Sequence, residues 1–116
     1  DVVETTMMNM FYAGTLKTMT PIVPSTTGKL ALIRPMVYIK EDSIIDYTKK
    51  NGILAMNCGC TIEAGKTSSK RRETKELLVA LEEKTPGIKQ SIFNSMNNIK
   101  LDYVFGYTRG NKNDEK

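Results

Sequence analysis

The pattern of apolar and polar positions predicts two amphipathic helices in the first half of the chain. Residues 1–13 carry apolar side chains at helical spacing, with Asp1 at the capping position and Gly14 as the stop. Their expected buried face consists of Val3, Met7, Met10, Phe11 and Gly14. Residues 41–50 should form the second helix, because acids stand at its start, lysines at its end, and Asn-Gly follows.

The apolar pattern in the second half of the chain predicts two further helices. Residues 68–84 form the third, and its buried face is expected to contain Thr74, Leu77, Leu78 and Leu81. Pro86 then stands at a first-turn position of the fourth helix. The apolar face of that helix comprises Ile88, Ile92, Met96 and Ile99.

Three short strands complete the pattern. Residues 19–23 and 29–34 flank a turn-forming segment, and the prolines place the first of these strands at a sheet edge. Residues 53–56 are an apolar run expected to form one buried strand. The predicted fold is therefore mostly α with a few short strands, an α+β domain over residues 1–109 with a disordered tail at residues 110–116. Four apolar helix faces need cover from further polypeptide or a second copy, so we expect a homodimer.

The amino-acid composition is that of an ordinary globular protein. It has 116 residues, 40% hydrophobic and 26% charged, which suits one small domain. No apolar run approaches the roughly 20 residues of a membrane span, and no signal peptide is recognisable. The two thiols, Cys58 and Cys60, lie one residue apart, which is typical of metal or redox chemistry in a reducing compartment. We therefore expect a cytoplasmic protein without membrane association.

Positive charge is concentrated in residues 64–75. This window has one anion, Glu73, and a net charge equal to the +4 of the whole chain. Its five cations are Lys66, Lys70, Arg71, Arg72 and Lys75. Cations and helix amides at one helix start favour a polyanion, so we expect them to bind nucleic-acid phosphates. The alternative is a solvated helix face.

Two motifs could carry chemistry. Residues 65–68, Gly-Lys-Thr-Ser, resemble the end of a phosphate-binding P-loop, but five residues separate Gly59 from Gly65 where that loop has four. We interpret the segment as a helix-entry loop. Cys58 and Cys60 could ligate an iron–sulfur cluster, carry sulfur as a persulfide or mixed disulfide, or simply pack in a tight glycine turn. Histidine is absent, so two cysteines cannot complete a standard zinc site.

Several short segments, in order along the chain up to about Ile99, form a recognisable pattern. They are residues 1–5 (Asp-Val-Val-Glu-Thr), 9–14 (Asn-Met-Phe-Tyr-Ala-Gly), 16–21 (Leu-Lys-x-Met-x-Pro), 32–36 (Leu-Ile-Arg-Pro-Met), 40–44 (Lys-Glu-Asp-Ser-Ile), 70–72 (Lys-Arg-Arg), 86–88 (Pro-Gly-Ile) and 93–98 (Phe-Asn-Ser-Met-Asn-Asn). These segments resemble the tRNA 2-thiocytidine biosynthesis proteins, which are PP-loop ATP-pyrophosphatases.

The resemblance implies an α/β parent with an open parallel sheet. Such enzymes use ATP and Mg²⁺ to adenylate a tRNA cytidine, then introduce sulfur from a donor with the help of a [4Fe–4S] cluster. Cys58 or Cys60 would supply one cluster ligand, with Cys60 favoured by alignment. Asp1 would be the remnant of the His-x-x-Asp-Asp motif and a catalytic candidate.

Three departures limit the expected activity. The PP-loop signature Ser-Gly-Gly-x-Asp-Ser is absent, Asp1 stands alone, and the cysteine motif is Cys-x-Cys rather than Cys-x-x-Cys. We therefore expect the carboxyl-terminal part of such an enzyme, inactive alone, with ATP and Mg²⁺ bound by the preceding half. The alternatives are a non-enzymatic helical RNA-binding module and a different PP-loop enzyme. That enzyme could be a tRNA 2-thiouridine or lysidine synthase, although lysidine synthesis needs no sulfur.

Overall fold

The computed structural model describes residues 1–54 and 69–108. Within these ranges the chain is mostly helical with one small sheet, which confirms the predicted character of the fold. The elements are α1 (Val2–Met8), a π-helical turn (Asn9–Ala13), β1 (Ile22–Pro24), β2 (Ala31–Ile33), α2 (Glu41–Lys50), α3 (Ser69–Lys84), α4 (Ile88–Ser95) and a 3-10 turn (Leu101–Tyr103). The predicted tail, residues 110–116, lies outside the described residues.

The first predicted helix is an α-helix that changes into a π-helical turn. Asp1 stands at the capping position and its carbonyl accepts the Thr5 N–H at 2.9 Å, but its carboxylate makes no capping hydrogen bond. The predicted capping position of Asp1 is confirmed, but its carboxylate lies 3.6 Å from Nη2 of Arg71 instead of capping the helix. The helical segment ends at Gly14, whose φ of 60° is a left-handed conformation that favours glycine.

The core lies where α1 packs against α3, with α4 contacting both helices. Its buried apolar side chains are Val2, Met7 and Leu78, and Leu78 is only 2% exposed. Thr6 and Thr74 are each 1% exposed. Their hydroxyls donate to carbonyls four residues earlier, at 2.8 Å and 2.7 Å, so burial leaves neither hydroxyl without a partner.

Five positions expected on the apolar helix faces are exposed: Met10, Phe11, Gly14, Leu77 and Ile99. Burial of Thr74 and Leu78 is confirmed, but Leu77 is 42% exposed because it points away from the face that meets α1. Met10 and Phe11 are also exposed, at 43% and 47%. The π-helical turn over residues 9–13 explains them, since its wider hydrogen-bonded rings rotate these side chains off the α1 face.

The two predicted strands form an antiparallel hairpin, shorter than expected. Ile22 pairs with Ile33 and Pro24 with Ala31. The turn is closed by the Ser25 N–H, which donates to the Leu30 carbonyl at 2.8 Å. Within the described residues each strand has one partner, so both are edge strands and the edge prediction for β1 is confirmed.

The predicted strand at residues 53–56 is wrong over its described half. Ile53 and Leu54 belong to no strand and are 51% and 93% exposed, while residues 55 and 56 lie outside the described ranges. Gly52, with a φ of 62°, turns the chain outward after α2, and no described strand lies beside it to pair with it. Helix α4 also ends earlier than expected, so Met96 and Ile99 lie beyond it.

Glu82 joins α3 to α4. Its Oε1 accepts the Gly87 N–H at 2.9 Å and its Oε2 accepts the Lys89 N–H at 3.0 Å. The carboxylate thereby satisfies amides at the start of α4 that have no partner within that helix. These two backbone hydrogen bonds, that of Lys89 first, hold the pKa of Glu82 below its ordinary value.

We expect Glu82→Gln to weaken the junction between α3 and α4. The glutamine amide is uncharged and has only one oxygen, so it can accept only one of the two hydrogen bonds. A folded pKa below the unfolded one means that the stabilisation is complete above the ordinary value of 4.5 and disappears as pH falls through the folded pKa. Thermal unfolding midpoints should show a small deficit at pH 7 that vanishes in acid. Glu83→Gln, at the exposed neighbouring position, should show no such deficit; equal curves for the two variants would contradict the junction's role.

Candidate functional site

Arg71 connects α3 to the start of α1, although 67 positions of the sequence separate it from Glu4. Its Nε donates to Oε2 of Glu4 at 3.3 Å, and its Nη2 lies 3.6 Å from Oδ1 of Asp1. The Glu4 side chain is 13% exposed and that of Asp1 is 72% exposed. The structure therefore places a predicted RNA-binding cation, Arg71, against the predicted catalytic remnant, Asp1.

The other predicted cations have different surroundings. Nζ of Lys75 forms an exposed ion pair with Oε2 of Glu41 at 3.2 Å. Nζ of Lys70 lies 4.9 Å from the centre of the Tyr12 ring. Arg72 is exposed and makes no ion pair within residues 1–54 and 69–108. Carboxylates therefore pair with Arg71 and Lys75, whereas no carboxylate of the described residues pairs with Lys70 or Arg72.

A groove lies between the start of α1, residues 34–39 and the start of α2. Its volume is about 380 Å³, and its charged lining consists of Asp1, Arg34 and Glu41 among apolar side chains. Arg34 is fixed by its Nη1, which donates to the Thr20 carbonyl at 2.8 Å. The groove offers both signs of charge beside apolar surface, which suits a polar organic ligand.

Sequence reasoning did not single out Arg34 or Glu41 as site residues. Both lie within segments quoted for the family resemblance, which was the available signal. The predicted Cys58, Cys60 and Lys66 lie outside the described residues. Cysteine thiolates are the right kind of ligand for an iron–sulfur cluster, but two are fewer than such clusters use, so further ligands would have to come from elsewhere. Within the described ranges, no group of three acidic or cysteine side chains could hold a metal ion.

Three known proteins similar to this chain share one name. The tRNA-cytidine(32) 2-sulfurtransferase of Geobacter sulfurreducens is 36% identical over 104 residues, covering 90% of this chain and 40% of the relative. That of Geobacter metallireducens is 37% identical over 100 residues, covering 86% and 38%. That of Citrifermentans bemidjiense is 34% identical over 111 residues, covering 94% and 43%.

The chain is homologous to part of the tRNA-cytidine(32) 2-sulfurtransferases. It spans about two fifths of the length of these curated relatives. The resemblance seen in the sequence is confirmed. No protein-family model and no solved structure matches the chain. Among the described helices, none is long and apolar enough to cross a membrane.

We expect Arg71→Ala to lower the free energy of unfolding of this protein by about 1–3 kcal/mol. The substitution leaves the largely buried Glu4 carboxylate without its charged donor. Arg72→Ala is the matched control on the same helix turn. Because Arg72 is exposed and has no ion pair within residues 1–54 and 69–108, the substitution should change stability by no more than about 0.5 kcal/mol. Urea denaturation measures both. Equal losses would show that Glu4 does not depend on Arg71.

Proposed function

We propose that this chain is the carboxyl-terminal part of an ATP-dependent tRNA-cytidine 2-sulfurtransferase acting on cytidine 32. The observation that carries the proposal is 34–37% identity to proteins of that name over about nine tenths of the chain. In the proposed reaction the C2 oxygen of cytidine attacks the α-phosphate of ATP and pyrophosphate leaves. A sulfur nucleophile then forms a bond to C2, and AMP leaves with the oxygen.

The proposal places ATP and Mg²⁺ in a preceding half of the protein with an open parallel α/β sheet. This chain contains no Ser-Gly-Gly-x-Asp-Ser segment to bind them, so alone it should not catalyse the reaction. Asp1 is proposed to act at the mouth of the groove, where a carboxylate can hold Mg²⁺ or accept a proton. Arg71, whose Nη2 lies 3.6 Å from Oδ1 of Asp1, would orient that carboxylate.

Cys60, or Cys58 beside it, is proposed as one ligand of a [4Fe–4S] cluster, with the remaining ligands supplied by the preceding half. When bound, the cluster would offer an iron site at which sulfur is held before transfer. Paired thiols of this kind need a reducing environment, which supports the expected cytoplasmic location.

For tRNA binding, we propose that Lys70 and Arg72 contact phosphates, together with Lys66. Arg71 and Lys75 should contribute less than the sequence suggested, because carboxylates of this chain already pair with both. The first turn of α3 contains no acidic residue, so its amides and cations act on an anion together.

We also propose that a second copy covers part of the exposed apolar surface. Within the described ranges, neither α2 nor α4 contains a buried residue, although both carry apolar side chains. The remaining polypeptide of the parent is the alternative cover. Light scattering of the full-length protein decides this point: a dimer mass supports the proposal, and a monomer mass removes it.

The experiment that tests the function uses the full-length protein under anaerobic conditions with an unmodified tRNA transcript, ATP, Mg²⁺ and sulfide. Nucleoside analysis should show 2-thiocytidine that requires ATP and is absent when cytidine 32 is replaced by uridine. Tight tRNA binding without any thiolation would instead favour a non-enzymatic RNA-binding module. Sulfur found on a uridine would favour the 2-thiouridine branch of PP-loop enzymes.

A further inference from the structure

Two aromatic side chains lie exposed on the π-helical turn. Phe11 is 47% exposed and Tyr12 is 45% exposed. Their rings meet edge to face, with centres 6.3 Å apart and planes at 86°. Many large apolar side chains of the described residues are exposed, but π-helical turns are frequent at functional sites, which makes this pair a candidate contact for a ligand.

A cation from another helix lies against this pair. Nζ of Lys70, at the start of α3, is 4.9 Å from the centre of the Tyr12 ring. No carboxylate within the described residues pairs with Lys70, nor with the exposed Arg72 two positions later. Within the described residues, an aromatic face and a lysine without a carboxylate partner therefore occupy one surface, although the sequence separates them by more than fifty residues.

Local hydrogen bonds hold the backbone of this surface in place. The Asn9 carbonyl accepts the Thr15 N–H at 3.1 Å, which closes the chain around Gly14. Nδ2 of Asn9 donates to the Lys17 carbonyl at 3.1 Å and ties down the segment that follows. The aromatic pair is thus presented by an ordered backbone rather than by a loose loop, which lowers the entropy lost on binding.

We propose that Phe11, Tyr12 and Lys70 form a stacking site for an unpaired nucleotide of the tRNA. Proteins recognise single-stranded RNA by stacking bases on aromatic rings while nearby cations contact the backbone. An incoming base takes the Tyr12 face that Lys70 covers, and Lys70 moves to the adjoining phosphate. The inference rests on the proposed function, which supplies tRNA as the ligand, and it adds where an unpaired base is held.

The test measures binding of an unmodified tRNA transcript to the full-length protein at several salt concentrations. Tyr12→Leu should weaken binding about tenfold, because leucine keeps apolar bulk but cannot stack, while the salt dependence stays unchanged. Tyr12→Phe keeps the ring and should bind within about twofold of the wild type. Lys70→Gln should weaken binding and reduce the slope of log affinity against log salt by about one.

Tyr47→Leu is the matched control, since Tyr47 is an exposed tyrosine on α2 with no lysine over its ring among the described residues. Wild-type affinity in Tyr12→Leu, from a wild-type protein that thiolates tRNA, overturns the stacking site and leaves the proposed function standing. Failure of the wild type to bind or thiolate tRNA overturns the function itself. If Tyr12→Leu unfolds or changes the oligomeric mass, the tRNA binding of Lys70→Gln tests the proposal instead. An unchanged salt slope in that variant would show that Lys70 contacts no phosphate and would overturn the proposal.

Discussion

Cys60→Ala should abolish both cluster assembly and tRNA thiolation in the full-length protein, whereas Cys58→Ala should retain both. Thiolate ligands hold an iron–sulfur cluster directly, so loss of the proposed Cys60 ligand would leave the proposed cluster without its full coordination. The neighbouring cysteine makes Cys58→Ala a control matched in position and chemistry. Anaerobic reconstitution followed by iron analysis and absorbance measures the cluster, and 2-thiocytidine formation measures the activity.

The other outcomes separate the interpretations that the sequence left open. Loss of the cluster in Cys58→Ala alone would identify Cys58 as the ligand instead of Cys60 and would leave the proposed mechanism unchanged. A normal cluster with no activity in either variant would indicate that the thiol carries sulfur as a persulfide. A normal cluster and normal activity in both variants would return the two cysteines to a structural role in a glycine turn.

Leu78→Ala should cost about 2–5 kcal/mol of unfolding free energy, a large share of the roughly 5–15 kcal/mol available to a typical domain. Leu78 is 2% exposed where α3 meets α1, so truncation removes buried methyl groups and leaves a cavity. Leu77→Ala is the matched control on the same helix, and at 42% exposure it should cost less than about 1 kcal/mol. Urea midpoints of the two variants give the comparison; similar losses would mean that the α1–α3 contact is not the core.

Local sequence signals placed α2 without error. Its predicted span of residues 41–50 is the observed Glu41–Lys50, with acids in the first turn and lysines in the last. These signals act through backbone amides and carbonyls within one or two turns, so they need no distant partner. The hairpin followed for the same reason, although its strands are shorter than expected.

The sequence could not show which side chains the predicted cations would meet. Arg71 pairs with Glu4 across 67 positions, and Lys75 with Glu41 across 34. Both pairs depend on how the helices dock. The same limit explains residues 53–54: an apolar run predicts burial, but burial requires a neighbouring surface, and the described part of the chain supplies none there.

The sequence by itself thus determined the helical character of the chain, the bounds of α2, the basic start of α3 and the relationship to tRNA-cytidine 2-sulfurtransferases. Each of these depends on residues close together along the chain or on their order. Only the tertiary structure decided that Arg71 forms ion pairs with Glu4 and Asp1, and that Lys70 lies over the Tyr12 ring of the exposed aromatic pair. Those contacts arise from the packing of α1 against α3, whose free energy comes from burying Val2, Met7 and Leu78 rather than from any local motif.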